Sequence, residues 1–177
     1  MKKITLLIIF LSFQMYSQTD SLNLKLQSMK NDSTKVLVLN DISRKNFGKN
    51  IGLAFKYLPE AIAISKQLNY NTGLVNSYKN LGTAYFYTGK YDSTKVYWSR
   101  SLKLIPSTNL KKKGDAYNNM GILYQRLGNI DSSLVNYTKS LEYRIKTNDS
   151  IPIAKSYNNL ASFYRQNGAY QKALDFY

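Results

Sequence analysis

The sequence predicts an all-α protein built as a stack of antiparallel helix hairpins. One segment of nine residues occurs three times along the chain, as SYKNLGTAY (77–85), AYNNMGILY (116–124) and SYNNLASFY (156–164). Its central small residues, Gly82, Gly121 and Ala161, are separated by 39 and 40 residues. Apolar side chains within and after each copy recur every three or four residues, which is the period of a helix with one buried face. A fixed period of this length, filled by helical patterns, predicts a solenoid of helix pairs.

Each unit contains two predicted helices. In the first helix of one unit, Leu74, Tyr78, Leu81 and Tyr85 mark a single buried stripe. A glycine follows four residues after the last tyrosine of every copy, at Gly89, Gly128 and Gly168. The helical pattern then resumes with Tyr91, Thr94, Trp98, Ser101, Leu102 and Ile105. The glycine therefore predicts a tight turn between two antiparallel helices.

Small residues occupy the middle of both helices. A glycine inside a helix costs about 1 kcal/mol relative to alanine. Gly82 and Gly121 are therefore expected where the partner helix crosses too closely for a larger side chain. Small residues at one position of the second helices indicate the same close crossing: Thr94, Ser133 and Ala173.

This pattern resembles the tetratricopeptide repeat. That repeat has an aromatic residue, leucine and glycine, a tyrosine, a small residue, an aromatic residue and a second small residue, matched here by Tyr78, Leu81, Gly82, Tyr85, Thr94, Trp98 and Ser101. The resemblance covers residues 35–177, although the period exceeds the usual length of about 34 residues. It implies a right-handed α-solenoid whose first helices line a concave groove.

Four units are expected, over residues 35–70, 71–108, 109–149 and 150–177. The first unit is degenerate, as terminal repeats often are, and residues 18–34 form a polar lead-in to it. The second helix of the fourth unit would be cut short at Tyr177. We therefore expect the natural chain to continue beyond that residue.

The first 17 residues have the layout of a secretory signal peptide. Lys2 and Lys3 precede an apolar run over residues 4–13, and Ser17 is a small residue before a cleavage point at Gln18. A buried N-terminal helix is the alternative interpretation. The run is shorter than the 20 or so apolar residues that span a bilayer, and nothing else in the chain is longer. The sequence thus predicts export to the periplasm or the exterior, without a membrane span.

Composition argues against catalysis. The chain has no cysteine and no histidine, which excludes thiolate nucleophiles, imidazole bases and the usual zinc sites. No glycine-rich phosphate loop occurs, so neither a cofactor nor a metal is expected. A formal charge of +15 attracts acidic partners, anionic membrane or nucleic acid, although the scattered lysines favour a solvated basic surface. Export makes nucleic acid an unsuitable partner, and a protein or an extended peptide is expected.

Polar and basic residues flank the buried stripe of the first helices and are predicted to face the groove: Lys79, Asn80, Asn118, Asn119, Arg126, Lys155, Asn158, Asn159 and Arg165. An amide side chain offers donors and an acceptor, so it can pair with a peptide backbone of any sequence. The alternative is that some asparagines bridge neighbouring repeats. The basic members of the set favour an acidic peptide.

In some tetratricopeptide repeat proteins a lysine–asparagine clamp grips a C-terminal carboxylate. Lys79, Asn119 and Lys155 stand at three of its five positions, whereas Thr83 and Asn159 replace an asparagine and an arginine. The tyrosines are expected in the core rather than in a sugar-stacking site, because they fall on the buried positions of the pattern: Tyr78, Tyr85, Tyr91, Tyr117, Tyr124, Tyr137, Tyr157, Tyr164 and Tyr170.

Two functions fit these features. The first is a non-catalytic scaffold for protein or peptide partners outside the cytoplasm. The second is the sensing region of a larger signalling protein. Exported arrays with this long, tyrosine-rich and asparagine-rich repeat resemble the N-terminal halves of bacterial sensor histidine kinases, in which repeats precede a membrane helix and a cytoplasmic kinase.

Overall fold

A computed structural model describes residues 23–177, which are helical and contain no strand. A short helix over residues 23–28 (α1) precedes α2 (Ser33–Lys45), α3 (Gly52–Gln67), α4 (Asn71–Tyr87), α5 (Tyr91–Leu104), α6 (Leu110–Arg126), α7 (Ile130–Ile145), α8 (Ser150–Gln166) and α9 (Tyr170–Phe176). None of these helices combines the length and apolarity needed to cross a membrane. The predicted signal peptide lies outside the described residues.

The helices pack as four consecutive hairpins. The pairs are α2–α3, α4–α5, α6–α7 and α8–α9, named repeats 1 to 4 below, and the second helix of each repeat also packs against the first helix of the next. This arrangement confirms the predicted all-α solenoid.

Turn chemistry fixes where the helices begin and end. Gly89, Gly128 and Gly168 all have φ between +70° and +75°, a left-handed conformation that suits glycine at the end of a helix. Asn109 and Asn129 cap α6 and α7, because their side chains accept hydrogen bonds from the backbone N–H groups three residues later. The tight glycine turn inside each of the last three hairpins is therefore as predicted.

The mid-helix glycines make room for aromatic rings. A Cβ atom on Gly82 would lie 2.4 Å from Cδ1 of Trp98, and one on Gly121 would lie 2.6 Å from Cδ1 of Tyr137. Both aromatic residues belong to the second helix of the same repeat. The close crossing expected from the sequence is therefore a contact between an aromatic side chain and the bare backbone of the first helix.

The second small residue of the pattern has a polar role as well. The hydroxyls of Ser101 and Ser140 are buried and donate hydrogen bonds of 2.8 Å to the carbonyls of Val75 and Gly114, on the first helix of the same repeat. Each bond ties the open end of a hairpin together. A buried hydroxyl would be destabilising without such a partner.

The core is a row of clusters rather than one centre. Within the described residues, the first cluster joins α1, α2 and α3, and each later one joins neighbouring repeats. The cluster of Trp98, Met120 and Leu123, for example, links repeat 2 to repeat 3. Each repeat is thus stabilised by its neighbours, as expected for a solenoid.

Two tyrosines depart from the predicted core positions. Tyr157 is 38% exposed and Tyr170 is 68% exposed, so the prediction that both are buried is wrong. Each lies in repeat 4, where no further helix covers the residues described. The other tyrosines predicted in the core are buried or half-buried.

Candidate ligand-binding groove

Two adjacent residues of each first helix meet the neighbouring repeat at a junction. The first position of this pair is occupied in repeats 1 to 4 by Asn40, Lys79, Asn118 and Asn158, and the second by Asp41, Asn80, Asn119 and Asn159. The second-position residue of one repeat approaches the first-position residue of the preceding repeat. The three junctions within residues 23–177 can therefore be compared directly.

The junction between repeats 1 and 2 is closed by an amide bridge. Nδ2 of Asn80 donates a 2.9 Å hydrogen bond to Oδ1 of Asn40. Asn40 in turn donates to the Ser77 hydroxyl and to the Val36 carbonyl. Asn40 and Asn80 are 7% and 4% exposed, so this bridge is buried. For Asn80, the structure favours the alternative in which the asparagine joins repeats.

An equivalent bridge closes the junction between repeats 3 and 4. Nδ2 of Asn159 donates a 2.5 Å hydrogen bond to Oδ1 of Asn118, and both residues are half-buried. Asn159 therefore also joins repeats, and Asn118 is its acceptor.

The junction between repeats 2 and 3 has no such bridge, because Lys79 occupies the first position. A lysine ammonium group has no acceptor to offer the amide of Asn119. Among residues 23–177, the Asn119 side chain forms no hydrogen bond and the Lys79 ammonium group forms neither a hydrogen bond nor an ion pair. A cavity of about 210 Å³ opens here, lined by Val75, Asn76, Lys79, Ser101, Ile105, Lys112, Asp115, Ala116 and Asn119.

The cavity is electropositive. Partial desolvation lowers the pKa of Lys79, although the residue keeps contact with solvent; Asp115 opposes this shift, and Lys112 and Arg44 reinforce it. The carboxylate of Asp115 is already paired with Nη2 of Arg144 at 2.9 Å. Two lysines therefore face the cavity with one acidic residue, which is engaged elsewhere.

Two further concavities flank this one along the groove. Between repeats 1 and 2, a hollow of about 340 Å³ includes the exposed Leu37 and also Asn76 and Lys79, which it shares with the cavity described above. Between repeats 3 and 4, a hollow of about 210 Å³ is lined by Ile122, Gln125, Arg126 and Gln166.

A hydrogen-bonded pair of amides lines the hollow between repeats 3 and 4. Gln125 donates to Gln166 and accepts from the hydroxyl of Tyr137, both at 2.6 Å. Burial raises the pKa of Tyr137 to about 12, with the charge of Arg126 acting in the opposite direction. The tyrosine therefore keeps its proton and remains a donor over the physiological range.

The structure brings together two of the three clamp residues. Lys79 and Asn119 share the cavity between repeats 2 and 3, but Lys155 is exposed on α8 and does not line it. Asp115 occupies the equivalent position one repeat earlier. Of the remaining predicted residues, Arg126, Asn158 and Arg165 are exposed: Arg126 at the end of α6, the other two on α8.

Sequence reasoning missed three of the cavity's polar residues, Asn76, Lys112 and Asp115. Asn76 and Asp115 stand at the repeat position of Lys155, which the prediction did include. Including the residue at this position of every repeat in the predicted site would have identified both Asn76 and Asp115. Lys112 belongs to the run Lys111-Lys112-Lys113, in which the sequence does not distinguish the member that turns toward the groove.

The comparisons with known proteins agree with this architecture. Residues 113–177 match the family model described as tetratricopeptide repeat. None of the curated proteins matches the chain.

Solved structures share the fold over most of the chain. One is a signal transduction ATPase with numerous domains that carries a tetratricopeptide repeat sensor, from Pyrococcus horikoshii (TM-score 0.76, 18% identity, covering 84% of this chain and 23% of that one). Another is BtubC from P. vanneervenii (TM-score 0.58, 18% identity, covering 81% of this chain and 76% of that one). The present chain thus spans about a quarter of the first protein's length. The tetratricopeptide repeat match over residues 113–177 and the shared fold together show that the chain is built as a tetratricopeptide-type α-solenoid.

Proposed function

We propose that the chain is a non-catalytic scaffold that holds an extended peptide or protein segment in the groove of its first helices, outside the cytoplasm. The observation that carries this proposal is the open cavity between repeats 2 and 3. There a half-buried amide and an ammonium group lack partners among the described residues. Solenoids of this kind commonly use such a concave surface for binding.

The chemistry of the groove supports a peptide ligand. The amide of Asn119 can pair with both a backbone N–H and a backbone carbonyl. The basic side chains of Lys79, Arg126, Lys155 and Arg165 are exposed and favour acidic residues in the ligand. Each such contact contributes about 0 to 1 kcal/mol near water, so several together shift affinity by about tenfold.

A panel of acidic, neutral and basic peptides of equal length tests this proposal. Affinities measured by calorimetry should rank in that order, and the preference should shrink as added salt screens the charges. Changing Lys79, Arg126, Lys155 and Arg165 to glutamine should remove the ranking and leave the helical circular dichroism spectrum intact. Equal binding of all three peptide classes by the parent protein would contradict an acidic ligand.

Export is proposed from the layout of residues 1–17. Protein recovered from the producing cell should begin near Gln18 or Thr19 when its N-terminus is sequenced. Soluble cytoplasmic protein that still begins with Met1 would overturn this part of the proposal, and would restore nucleic acid as a candidate partner for the basic surface.

A second candidate function is the sensing region of a larger signalling protein. It is favoured by the similarity in fold to the Pyrococcus horikoshii protein, whose description includes a tetratricopeptide repeat sensor. The gene sequence beyond the codon for Tyr177 discriminates the two. A membrane helix followed by a histidine kinase domain would support the sensor, whereas a stop codon after one more helix would support the free scaffold.

A further inference from the structure

We propose that the edge of the solenoid formed by the turns inside the hairpins docks on an anionic lipid bilayer. This turn edge comprises the ends of the first helices, the turns and the starts of the second helices, over residues 41–53, 85–93, 124–132 and 164–171. It presents exposed apolar side chains beside basic ones. The contact is peripheral, so it needs no helix that crosses the membrane. It goes beyond the proposed function, because it does not involve the cavity between repeats 2 and 3.

All four turns lie on the same edge, because every hairpin is antiparallel and packs against the next in chain order. Contacts between neighbouring turns show this placement. The ring of Phe47, in the turn of repeat 1, lies 6.0 Å from the ring of Tyr87, at the end of α4. Phe86 packs in the cluster that links repeats 2 and 3. Gln125 donates to Gln166 across the ends of α6 and α8. The side chains of this edge therefore form one row along the array.

Apolar side chains of the turn edge are open to solvent even inside the stack. Tyr87, Leu127 and Ile130 are 65%, 45% and 53% exposed. They belong to repeats 2 and 3, which have a neighbouring repeat on either side, so their exposure does not come from an uncovered end of the array. A tyrosine suits the surface of a bilayer, because its ring enters the headgroup region while its hydroxyl stays hydrated.

Every repeat adds an exposed basic side chain to the same edge: Lys49, Lys90, Arg126 and Arg165. None of the four forms an ion pair with another residue among 23–177. Of the acidic residues nearby, Asp41 is already paired with Arg44 and Lys45. Asp92 and Asp131 lie in the first turns of α5 and α7, where the N-terminal end of a helix favours their charge. The edge therefore keeps an excess of positive charge, which is complementary to anionic headgroups.

A bilayer matches both properties of the edge at once. Its headgroups carry the charge that the basic side chains attract, and its interfacial region accepts the apolar side chains. A nucleic acid would pair with the basic side chains but would leave Tyr87, Leu127 and Ile130 without an apolar partner. Turns from four repeats meet one surface together, so weak contacts at each turn combine into stable docking.

Sedimentation with lipid vesicles tests the docking. Protein purified from the producing cell is mixed with vesicles of phosphatidylcholine alone, or of equal parts phosphatidylcholine and phosphatidylglycerol. We expect the protein to sediment with the anionic vesicles, to bind the neutral ones much more weakly, and to be released as added salt screens the charges. Free glycerol phosphate at the same phosphate concentration should not compete, because it offers no apolar region.

Matched substitutions on the two edges separate this row from the general charge of the protein. Leu127 and Leu68 are both C-cap residues in a helical conformation, are 45% and 44% exposed, and lie on opposite edges. Leu127→Ser combined with Tyr87→Ser should weaken binding to the anionic vesicles by about tenfold. Leu68→Ser combined with Ile145→Ser is the control and should leave binding unchanged. Residues 1–22 are the same in every variant, so a difference between variants reports the edge.

A second pair of variants changes charge alone and serves if the serine variants do not fold. Lys49→Gln combined with Lys90→Gln should weaken binding to the anionic vesicles by about tenfold. Lys66→Gln combined with Lys103→Gln, on the opposite edge, should have a much smaller effect. None of these residues belongs to the proposed peptide-binding set, so peptide affinity should stay the same in all of these variants.

NMR locates the contact without any substitution. A nitroxide-labelled lipid in anionic bicelles should broaden the amide signals of Gly89 and Gly128, which lie in the turns of the docking edge. The signals of Asn69 and Asn148, in the connections of the opposite edge, should broaden less.

Distinct outcomes separate this inference from the proposed function. The inference is overturned if the parent protein does not bind the anionic vesicles, binds both kinds of vesicle equally, or loses the same affinity when either edge is changed. Stronger broadening at Asn69 and Asn148 than at the turn glycines would also overturn it. Peptides that still bind in the groove would then leave the proposed function standing. Conversely, docking through the turn edge without binding of any peptide would support the inference and contradict the peptide scaffold.

Discussion

The bare backbone at Gly121 lies against the ring of Tyr137, and its substitution tests how tightly each hairpin is packed. Gly121→Leu should reduce the free energy of unfolding by about 3 kcal/mol, because the new side chain overlaps a ring that is itself buried. Asn119→Ala should reduce it by less than half as much, since Asn119 forms no side-chain hydrogen bond within residues 23–177. Urea denaturation measures both.

Gly48→Ala is the matched control for the packing test. Apart from its two chain neighbours, no described residue has an atom within 4 Å of a Cβ atom built on Gly48. Its effect should stay within about 0.5 kcal/mol. A larger loss for Asn119→Ala than for Gly121→Leu would show that the buried and open faces of the first helices have been exchanged.

Tyr137 should make the protein sensitive to alkali. Its pKa is about 12 in the folded chain and about 10 when exposed, so the unfolded state releases the proton first as pH rises. The stability that the neutral side chain contributes is complete below pH 10 and is lost between about pH 10 and 12. By pH 11 the loss is about 1.4 kcal/mol.

Tyr137→Phe isolates this effect. The variant loses the hydrogen bond to Gln125 and should be about 1 kcal/mol less stable at pH 8. Because phenylalanine does not titrate, the advantage of the parent over the variant in unfolding free energy should fall from about 1 kcal/mol near pH 9 to zero or below by pH 11. A constant difference over that range would contradict burial of the hydroxyl.

Sequence reasoning predicted the role of a residue correctly where that role depends on one repeat alone. The turn glycines and the small residues under Trp98 and Tyr137 follow from steric limits inside one hairpin. It could not decide whether the asparagines bind a ligand or bridge repeats. A bridge such as that from Asn80 to Asn40 depends on which side chain the preceding repeat presents. Pairing across a junction requires the register of two repeats in space.

At the scale of helices, Arg144 holds three elements together. It extends from α7, donates to Ser156 on α8 at 2.9 Å, and pairs with Asp115 on α6. Only 6% of its surface is exposed, and its Nε atom has no hydrogen-bond partner among residues 23–177. Gly114 leaves room for its stem, since a Cβ atom there would lie 2.9 Å from Cγ of Arg144.

A double-mutant cycle tests this packing. Gly114→Ala should destabilise the parent by about 1 to 2 kcal/mol through crowding. In the Arg144→Ala background the same change should be close to neutral, because the stem is gone and alanine is the better helix former. Equal costs in both backgrounds would show that Gly114 and Arg144 do not interact.

Sequence reasoning did not find this arginine, although it found the helices on either side. A charged residue in a helix pattern usually marks the solvent face. Arg144 is buried because Asp115, Ser156 and the Pro152 carbonyl all offer it acceptors. These partners lie on two other helices, so the sequence pattern of α7 alone wrongly predicts that Arg144 is exposed.

Across the whole molecule, the core consists of separate clusters between neighbouring repeats, so each repeat depends on its neighbours for stability. The junction between repeats 2 and 3 lacks the amide bridge found on either side of it. Hydrogen exchange at increasing denaturant should therefore resolve repeats 1–2 and repeats 3–4 as two cooperative units, and Lys79→Asn should merge them. Simultaneous exchange of all four repeats in the parent would contradict a weak central junction.

The architecture of the molecule was predictable because the period repeats a helical pattern that can be buried only by stacking. The position of the cavity between repeats 2 and 3 was not predictable, because it arises from a difference between repeats rather than from a feature that all repeats share. Lys79 illustrates this. Within the repeat pattern it is one of many polar residues, and it differs only because the other three repeats have asparagine at the same position.

The alternation of asparagine and lysine at the junctions has a consequence for how such arrays evolve. The codons for these two amino acids share their first two bases and differ only in the third. A single nucleotide change can therefore remove an amide bridge between two repeats, or restore it. A gene that lengthens by duplicating its repeats would copy these bridges, and single base changes could then alter the strength of each junction separately.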